Sequence, residues 1–362
     1  MRLTTHGGEA TRLLIESRAV SRAVTAATVI VPAYNEAASI ADTIASIRAQ
    51  TAPVAEILVV DDCSTDGTGD VARRCGARVI RPPANTGSKA GAQTFALDFV
   101  DTPHVLAIDA DTTLAPDAVA RLFAAFQDPD VVAASGFVLP RHVRTIWERG
   151  RYVEYVFAFS FYKPIQDHYG VPLISSGCFS MYRADVLRAH GGWSNRTMAE
   201  DMDLTWQFHQ CGHKVRFVPE AVCWPIEPHD FHFMRCQLRR WAHGFVQNVR
   251  LHWRGLLDVP WLRATVAVAV WDSTVASIAY LFALPVLAVL VSPLFLLGYL
   301  IDVPAVLVPV LWHAWRRREV RRALASMPGF LVLRTVNGVF LLGAAWSEVV
   351  RGRRLDVYEK GH

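Results

Sequence analysis

The chain falls into two regions that differ in the spacing of their hydrophobic residues. Up to about residue 255, short apolar runs that suit buried strands alternate with stretches whose apolar residues recur at helical spacing. This alternation predicts an α/β domain with a mainly parallel sheet, covered on both faces, whose site lies at the carboxyl ends of the strands. The runs that predict strands are 28–31, 57–60, 78–80, 105–108 and 131–134.

Two residues predict where helices of this region begin. Asn35 precedes apolar residues at helical spacing and predicts an N-cap. Pro116 suits the first turn of a later helix, because a proline there loses no helical hydrogen bond. We expect both helices to cover the sheet.

The region after residue 255 is far more apolar. From Trp271 to Trp315, 45 residues contain no Lys or Arg, and their only carboxylates are Asp272 and Asp302. About 20 apolar residues cross a bilayer, so this stretch predicts two membrane spans that turn near Asp302. A pair of buried helices is the alternative, but no soluble core of this size needs so long an apolar run.

Two arginine clusters, at 316–322 and 351–354, flank a third apolar segment at 328–350. Arginine-rich flanks favour the cytoplasmic side, so we expect both clusters there and the third segment in the interface or re-entrant, with a third span as the alternative. The predicted organisation is an N-terminal tail (1–26), an α/β domain (27–255) and a C-terminal α-helical transmembrane region (256–362). The last region opens with an interface helix and has both spans within 271–315.

Composition narrows the class of protein. The 37 Lys and Arg nearly balance the 33 Asp and Glu, which argues against a nucleic-acid partner, and 52% hydrophobic residues exclude a disordered chain. Six cysteines lack metal-site spacing, so we expect reduced thiols and no zinc site. Because the first 25 residues lack the apolar core of a secretory signal, we expect the α/β domain to stay in the cytoplasm. Together with the predicted spans, this predicts a multi-pass protein of the cell (inner or plasma) membrane.

Carboxylates follow the predicted strands. Asp61 and Asp62 follow one strand, Asp109 and Asp111 follow another, and Glu36 lies beyond the first. Carboxylates gathered at one edge repel each other and need a cation or hydrogen-bond donors. The acids at 109 and 111 can give two oxygen ligands to a divalent ion that also binds a substrate diphosphate, although a lone D-x-D is often a loop cap.

Two glycine-containing turns carry different signals. Gly67, Gly69 and Ala72 imitate a dinucleotide motif, but acids precede the turn and none follows about 20 positions on, so we reject that interpretation. Lys89, one of only four lysines, follows the second turn and suits a phosphate or ribose contact. A surface lysine is the alternative.

Two polar groups lie on later helices. The acidic run 200–203 opens one helix, where it either favours the helix dipole or includes a general base. Gln237, Arg240 and Trp241 share one face of another helix at i, i+3 and i+4. An amide, a guanidinium and an indole together can hold a pyrophosphate and a sugar ring.

In order, these motifs resemble inverting glycosyltransferases of family 2, and more narrowly the processive membrane synthases of cellulose, chitin, hyaluronan and poly-N-acetylglucosamine. Each match is weak alone, but the ordered series is specific, and the Q-x-x-R-W pattern points to the processive branch. The tail around Arg334 and Asn337 is also similar to those synthases. The matching segments are VIVPAYNE, VVDDCSTDGT, NTGSKAGA, DAD, ED and QLRRW.

The resemblance implies a Rossmann-like GT-A fold and a role for each motif. Asp109 and Asp111 would bind the diphosphate of a UDP-sugar through Mg2+ or Mn2+. Asp201 would deprotonate the acceptor hydroxyl, and Arg240 would stabilise the charge on the leaving UDP, so that a single displacement inverts an α-linked donor into a β-linked product. The remaining residues would be Tyr34, Glu36 and Asp61 or Asp62 for uridine, Lys89 for the nucleotide sugar, and Glu200, Gln237 and Trp241 for the acceptor.

Three functions stay open. The first is a processive β-glycosyltransferase that uses UDP-N-acetylglucosamine or UDP-glucose, and the second adds one sugar to a polyprenyl-phosphate or lipid-linked glycan. The third is a catalytically silent nucleotide-sugar sensor or membrane scaffold, against which the intact acids argue. The large synthases usually begin with membrane helices that this sequence does not predict. Two or three spans make a narrow pore, so we expect a homo-oligomer, an export partner or a lipid-linked acceptor.

Overall fold

The α/β region forms a single eight-stranded sheet in the computed structural model, which describes residues 26–301 and 303–357. The predicted tail up to residue 25, Asp302, near which the sequence predicted the turn, and the last residues from 358 lie outside the described residues. The strands are β1 (Ala27–Ala33), β2 (Glu56–Asp61), β3 (Arg78–Ile80), β4 (His104–Ile108), β5 (Thr113–Leu114), β6 (Val131–Val138), β7 (Phe179–Arg183) and β8 (Lys214–Trp224).

The strand order is β3-β2-β1-β4-β7-β6-β8-β5. Strands β1 to β4 run parallel, and β7 is antiparallel to both of its neighbours. Ile30 of β1 pairs with Leu58 of β2 and with Ala107 of β4, so these three strands end at the same edge. The residues that follow them therefore meet there, as the sequence predicted.

Apolar residues alternate between the two faces of the sheet. Val29 and Val31 belong to one hydrophobic cluster, whereas Ile30 belongs to the other. Helices cover both faces because both faces of a mainly parallel sheet are apolar. The helices of this domain are α1 (Ile40–Arg48), α2 (Thr68–Arg74), α3 (Lys89–Ala96), α4 (Ala118–Ala125), α5 (Ile146–Phe157), α6 (Lys163–His168), α7 (Ala184–Ala189), α8 (Glu200–Gln210) and α9 (Phe231–His252).

Both predicted helix starts are wrong by a few residues. Helix α1 begins at Ile40, and Asn35 instead has a positive φ of 54° in the loop after β1, a conformation that asparagine tolerates better than most residues. Its side chain accepts a hydrogen bond from the backbone of Thr65, 2.9 Å away. Pro116 lies in the turn before α4, which begins at Ala118.

Three apolar segments of the C-terminal region are long enough to cross a membrane by length and composition. The first segment begins at Pro260, earlier than the predicted Trp271, and the break between the first two segments lies at residues 291–292, not near Asp302 as the sequence predicted. The segments cover Pro260–Leu290, Pro293–Arg316 and Val320–Val350. Within them lie α10 (Pro260–Ile278), α11 (Leu284–Leu290), α12 (Val303–Arg316) and α13 (Val320–Ala345).

Helix α13 contacts the α/β domain near both of its ends. Before its first turn, Glu319 accepts a 2.9 Å hydrogen bond from the Tyr152 hydroxyl of α5. Beyond its last turn, the buried Glu348 carboxylate lies 2.8 Å from Nδ1 of His243 on α9 and accepts a hydrogen bond from Gln247. The third apolar segment therefore runs along the domain.

Close packing fixes the crossing of α5 and α13. The two helices meet at Gly150 and Gly329, where a β-carbon on Gly150 would lie 2.6 Å from the carbonyl oxygen of Gly329. A β-carbon on Gly329 would lie 2.5 Å from the carbonyl oxygen of Ile146. Only glycine permits this approach of two backbones.

Candidate active site

A cavity of about 1370 Å³ opens at the carboxyl edge of the sheet. It collects all but one of the twelve residues that the sequence singled out, although they come from distant parts of the chain. The eleven lining residues are Tyr34, Glu36, Asp62, Lys89, Asp109, Asp111, Glu200, Asp201, Gln237, Arg240 and Trp241.

The acids after β2 have different surroundings. Asp62 lines the cavity and accepts hydrogen bonds from the backbone and hydroxyl of Thr86, at 2.8 and 2.9 Å, so it anchors the loop that leads to Lys89. Asp61 is buried beside the next turn, where it accepts a hydrogen bond from the Ser64 backbone. Of the two predicted uridine contacts, Asp62 is therefore the better placed.

The loop after β1 is held by hydroxyl groups. The backbone N–H of Glu36 donates to the Thr68 hydroxyl over 2.7 Å, and the Glu36 carboxylate accepts a 2.6 Å hydrogen bond from Ser39. These contacts leave Glu36 and the neighbouring Tyr34 at the cavity wall, where the Tyr34 side chain is 42% exposed. An exposed aromatic ring at this edge can stack on a nucleobase.

Asp111 lies in the most acidic part of the cavity. Burial raises its pKa well above the usual range, and the nearby charges of Asp109, Glu36 and Glu227 raise it further. A divalent cation would relieve this repulsion, and the two oxygen-bearing side chains of the D-x-D pair suit Mg2+ or Mn2+. Within residues 26–301 and 303–357, no group of three His, Cys, Asp or Glu side chains forms a complete metal site, so a bound ion would also need oxygens from the substrate.

Lys89, Gly177 and Asp201 form a compact unit at the centre of the cavity. The Lys89 ammonium forms an ion pair with Asp109 and donates a 2.9 Å hydrogen bond to the Gly177 carbonyl. The Gly177 backbone N–H donates to Asp201 over 2.8 Å. A β-carbon on Gly177 would lie 3.1 Å from both the lysine nitrogen and the Asp201 carboxylate, so a side chain there would crowd both groups.

The three acids at the start of α8 point in different directions. Glu200 lines the cavity beside Asp201, and burial, then the charge of Asp201, raise the pKa of Glu200. Asp203 is fully buried elsewhere, paired with Arg196 at 2.8 Å and with His252 at 2.6 Å. Burial opposes ionisation of Asp203, but these two hydrogen-bonding partners outweigh it and lower its pKa. Asp203 is thus a structural acid.

The Q-x-x-R-W residues lie on one face of α9, as predicted, and line the cavity together. Trp241 is 37% exposed, which leaves one face of its indole open to the cavity. Arg240 is close enough to Glu200 for its positive charge to offset part of the rise in the pKa of that carboxyl. The side chains of Gln237 and Trp241 are both held by a residue that the sequence did not single out.

That residue is Arg151 of α5, whose side chain is completely buried. Its guanidinium donates a 2.5 Å hydrogen bond to the Gln237 amide oxygen and lies 4.5 Å from the centre of the Trp241 ring. It also pairs with Glu154 and, at 3.4 Å, with the buried Glu227. The only sequence signal was an Arg and a Glu spaced i, i+3, which on an amphipathic helix usually marks a solvated face.

A second buried cation lies on α6. Lys163 donates hydrogen bonds to the hydroxyls of Ser176 and Ser135, at 2.8 and 3.3 Å, and burial lowers its pKa to about 8. Ser176 immediately precedes Gly177, so Lys163 supports the segment that holds Asp201. Apart from the scarcity of lysine, no sequence pattern indicated this contact.

The cavity continues from the sheet edge along α10. Trp261, Thr265, Val268 and Asp272 line it, at the 3.6-residue spacing of one helix face. These positions extend over about 16 Å of helix at 1.5 Å per residue. One continuous cavity therefore connects the acidic edge of the sheet with the first apolar segment.

The sheet, its acidic edge and the apolar helices that follow define a Rossmann-like GT-A fold with a helical region that could cross a membrane, as predicted. Residues 28–191 match the family model for Glycosyl transferase family 2. The predicted resemblance to glycosyltransferases of family 2 is therefore confirmed for this part of the chain. In the part of the chain that the structure describes, all six cysteines are free.

Comparison with known proteins supports the same class. The chain is 26% identical over 216 residues to poly-beta-1,6-N-acetyl-D-glucosamine synthase of Staphylococcus epidermidis, with 58% of this chain and 52% of the relative covered. For the enzyme of the same name from Staphylococcus aureus, the identity is 26% and the coverages are 60% and 54%. The chain thus spans about half the length of the curated relatives it matches.

A solved structure shows the same fold. The mannosyltransferase from Pyrobaculum calidifontis, in complex with GDP-Man and Mn2+, superposes with a TM-score of 0.53 at 22% sequence identity. The match covers 86% of each chain, so it extends beyond the sheet into the C-terminal region. At this identity the similarity concerns the fold.

Proposed function

We propose that the protein is an inverting membrane glycosyltransferase that extends a β-linked polysaccharide from a UDP-sugar, with N-acetylglucosamine or glucose as the transferred sugar. The observation that carries the proposal is the position of Asp201. It lies across Gly177 from Lys89 and Asp109, in the same cavity as Gln237 and Trp241. A donor held on one side and an acceptor on the other would meet at this carboxylate.

In the proposed reaction, Asp201 takes the proton of an acceptor hydroxyl as that oxygen attacks the anomeric carbon. The bond between that carbon and the UDP oxygen breaks, and its electrons leave with UDP. Attack opposite the leaving group inverts the anomeric configuration. Lys89 and Arg240 contribute positive charge toward the departing diphosphate.

The acids of the D-x-D pair would hold Mg2+ or Mn2+, which supplies further charge compensation for the diphosphate. The raised pKa of Asp111 in its acidic surroundings supports this assignment, and the similar mannosyltransferase was solved with Mn2+. Tyr34, Glu36 and Asp62 would bind the nucleoside, because they line the adjoining wall. Asp61 would act by shaping the turn beside them.

The test is a donor panel. Purified protein in detergent, incubated with a series of UDP-sugars and with GDP-mannose, should release UDP from one or two of the UDP-sugars and give products whose masses differ by one sugar unit. Release of GDP alone would contradict the proposed donor. Products that carry a single added sugar would contradict chain extension.

A second candidate is single addition to a lipid-linked acceptor. It is favoured by the extension of the cavity along α10, where Trp261, Val268 and Ala269 give it an apolar wall. An acceptor with a lipid tail could lie along this wall with its polar end toward Asp201. Product mass after incubation with a polyprenyl phosphate separates this candidate from the first.

We further propose that the α/β domain and both arginine clusters are cytoplasmic, with the turn between the first two apolar segments on the opposite side. Contacts of Glu319 with Tyr152 and of Glu348 with His243 support this arrangement, because a helix held at both ends by one domain does not cross to the other side. The third segment would then lie in the interface.

Labelling of intact cells with an impermeant thiol reagent tests this topology. We expect Val291→Cys, in the turn between the first two segments, to react from outside, and Arg353→Cys, in the second arginine cluster, to react only after permeabilisation. Labelling of both variants from outside would show that the third segment spans. The parent protein, which keeps its own cysteines, is treated with the same reagent as the control.

A further inference from the structure

We propose that Arg151 is a positioning residue for the acceptor: it holds Gln237 and Trp241 in place and links them to helix α13. The proposal rests on the proposed function, since it assigns Trp241 to the acceptor side. It concerns a residue that does not itself line the cavity but contacts two that do.

The contacts of Arg151 are specific to a guanidinium. One nitrogen donates to Gln237, another pairs with Glu154, and the planar group lies over the Trp241 ring. A lysine has no plane to stack and no fork of donors, so it cannot make these contacts together. The ring of Tyr155 lies on the same guanidinium at 5.5 Å.

The partners of Arg151 restrain one another. Glu227 accepts a 2.8 Å hydrogen bond from the Tyr155 hydroxyl and a 3.4 Å hydrogen bond from the Gln237 amide. Because the Arg151 side chain is fully buried, its charge needs these carboxylates, and they in turn need its charge. Gln237 is therefore held from both ends of its amide group.

Helix α13 reaches the same cluster. The Asn337 amide donates a 2.9 Å hydrogen bond to Glu154, which pairs with Arg151. The adjacent residue, Gly150, is the point at which α5 crosses α13. The position of the Trp241 indole is thus tied through Arg151 to a helix of the apolar region, whereas the donor side of the cavity is built from the sheet edge.

This arrangement predicts that loss of Arg151 weakens use of the acceptor without weakening use of the donor. We compare wild type with Arg151→Lys and Arg151→Met, using UDP-N-acetylglucosamine with the acceptor that copurifies and with added N-acetylglucosamine oligosaccharide. Two rates are measured: total UDP release and incorporation of sugar into product. The ratio of incorporation to release should fall by about ten- to thirtyfold, since a desolvated cation–π contact is lost.

The Michaelis constant for the donor, measured by hydrolysis without oligosaccharide, should stay within about twofold of wild type. The matched control is Arg183→Met. Arg183 is also packed on an aromatic ring, Phe126, and donates to the backbone carbonyls of Val131 and Asp128, away from the cavity. We expect this variant to lower the thermal unfolding temperature and leave the ratio unchanged.

A milder variant covers the case in which Arg151 variants do not fold. Asn337→Ala removes only the hydrogen bond to Glu154 and should lower the ratio by about threefold. An unchanged ratio in Asn337→Ala and in whichever Arg151 variants fold, or a matching rise in the donor Michaelis constant, would overturn the proposal. A wild type that releases UDP but incorporates no sugar would overturn the proposed function, and this proposal with it.

Discussion

The two sides of the cavity hold their carboxylates in different ways. At the acidic edge, Asp111 faces the charges of Asp109 and Glu36 and has a raised pKa. On the opposite side, Glu154 and Glu227 both pair with the buried Arg151, although burial still raises the pKa of Glu227. The proposed donor side, where Lys89 pairs with Asp109 but Asp111 keeps a raised pKa, therefore suits a further cation, whereas the proposed acceptor side is built around its own buried guanidinium.

This difference has a physical reason. In the proposed reaction a diphosphate arrives and leaves in each cycle, so a cation that it shares with the protein would compensate the acids only when the charge is needed. A neutral sugar brings no charge, and its platform is best kept rigid by permanent ion pairs. The following changes would break or sharpen the comparison.

The largest expected effect is metal removal. Stripping divalent ions with EDTA should lower sugar transfer by about 10³-fold or more, because charge compensation of the leaving diphosphate is worth several kcal/mol. Addition of Mn2+ or Mg2+ should restore activity, and the thermal unfolding temperature should change little. Full activity in excess EDTA would show that Lys89 and Arg240 suffice on the donor side.

Loss of the proposed base comes next. Asp201→Asn should lower turnover by about 10² to 10⁴-fold while binding of the UDP-sugar survives, as measured by calorimetry. Asp203→Asn is the matched control, because it breaks the buried pairs with Arg196 and His252 and should lower thermal stability instead. Near-normal turnover of Asp201→Asn would transfer the base role to Glu200.

Removal of the indole tests the acceptor side. Trp241→Ala should lower elongation by about three- to tenfold more than it lowers hydrolysis of the donor by water, since an aromatic stacking contact is lost. Products should also become shorter, as mass spectrometry would reveal. An equal loss of both rates would place Trp241 at the donor rather than the acceptor.

The smallest effect is expected where the two sides meet. Gly177→Ala places a β-carbon 3.1 Å from both the Lys89 nitrogen and the Asp201 carboxylate, so these groups must shift by a few tenths of an ångström. We expect turnover to fall by about two- to threefold, because a displacement of a few tenths of an ångström costs much less than the roughly hundredfold lost when reacting groups are misplaced by about 1 Å. Turnover equal to that of wild type would mean that the centre of the cavity adapts freely.

Local patterns were sufficient to predict the donor side. Apolar strands followed by acids predicted β1, β2 and β4 and the meeting of Glu36, Asp62 and Asp109, because parallel strands bring their ends to one edge. The acceptor side was only half predicted. Gln237 and Trp241 follow helical spacing, but Arg151 is 86 residues from Gln237, and nothing local shows that its charge is buried.

The same reasoning explains the errors at helix starts. Asn35 has the side chain of an N-cap, but its hydrogen bond goes to Thr65, which lies on another loop. Likewise, the apolar pattern of Val320–Val350 indicates a membrane segment by composition, and its contacts at both ends with Tyr152 and His243 appear only in three dimensions. Tertiary contacts of this kind leave no periodic trace in a sequence.

The crossing at Gly150 and Gly329 has a mechanical consequence. Because each glycine backbone fills the groove of the facing helix, a shift of α13 along its axis would bring the side chain of Leu333, one turn further along the same face, against the backbone of α5. Axial sliding of α13 along α5 is therefore blocked at this crossing. A widening of the cavity would therefore need movement of a wall other than this crossing.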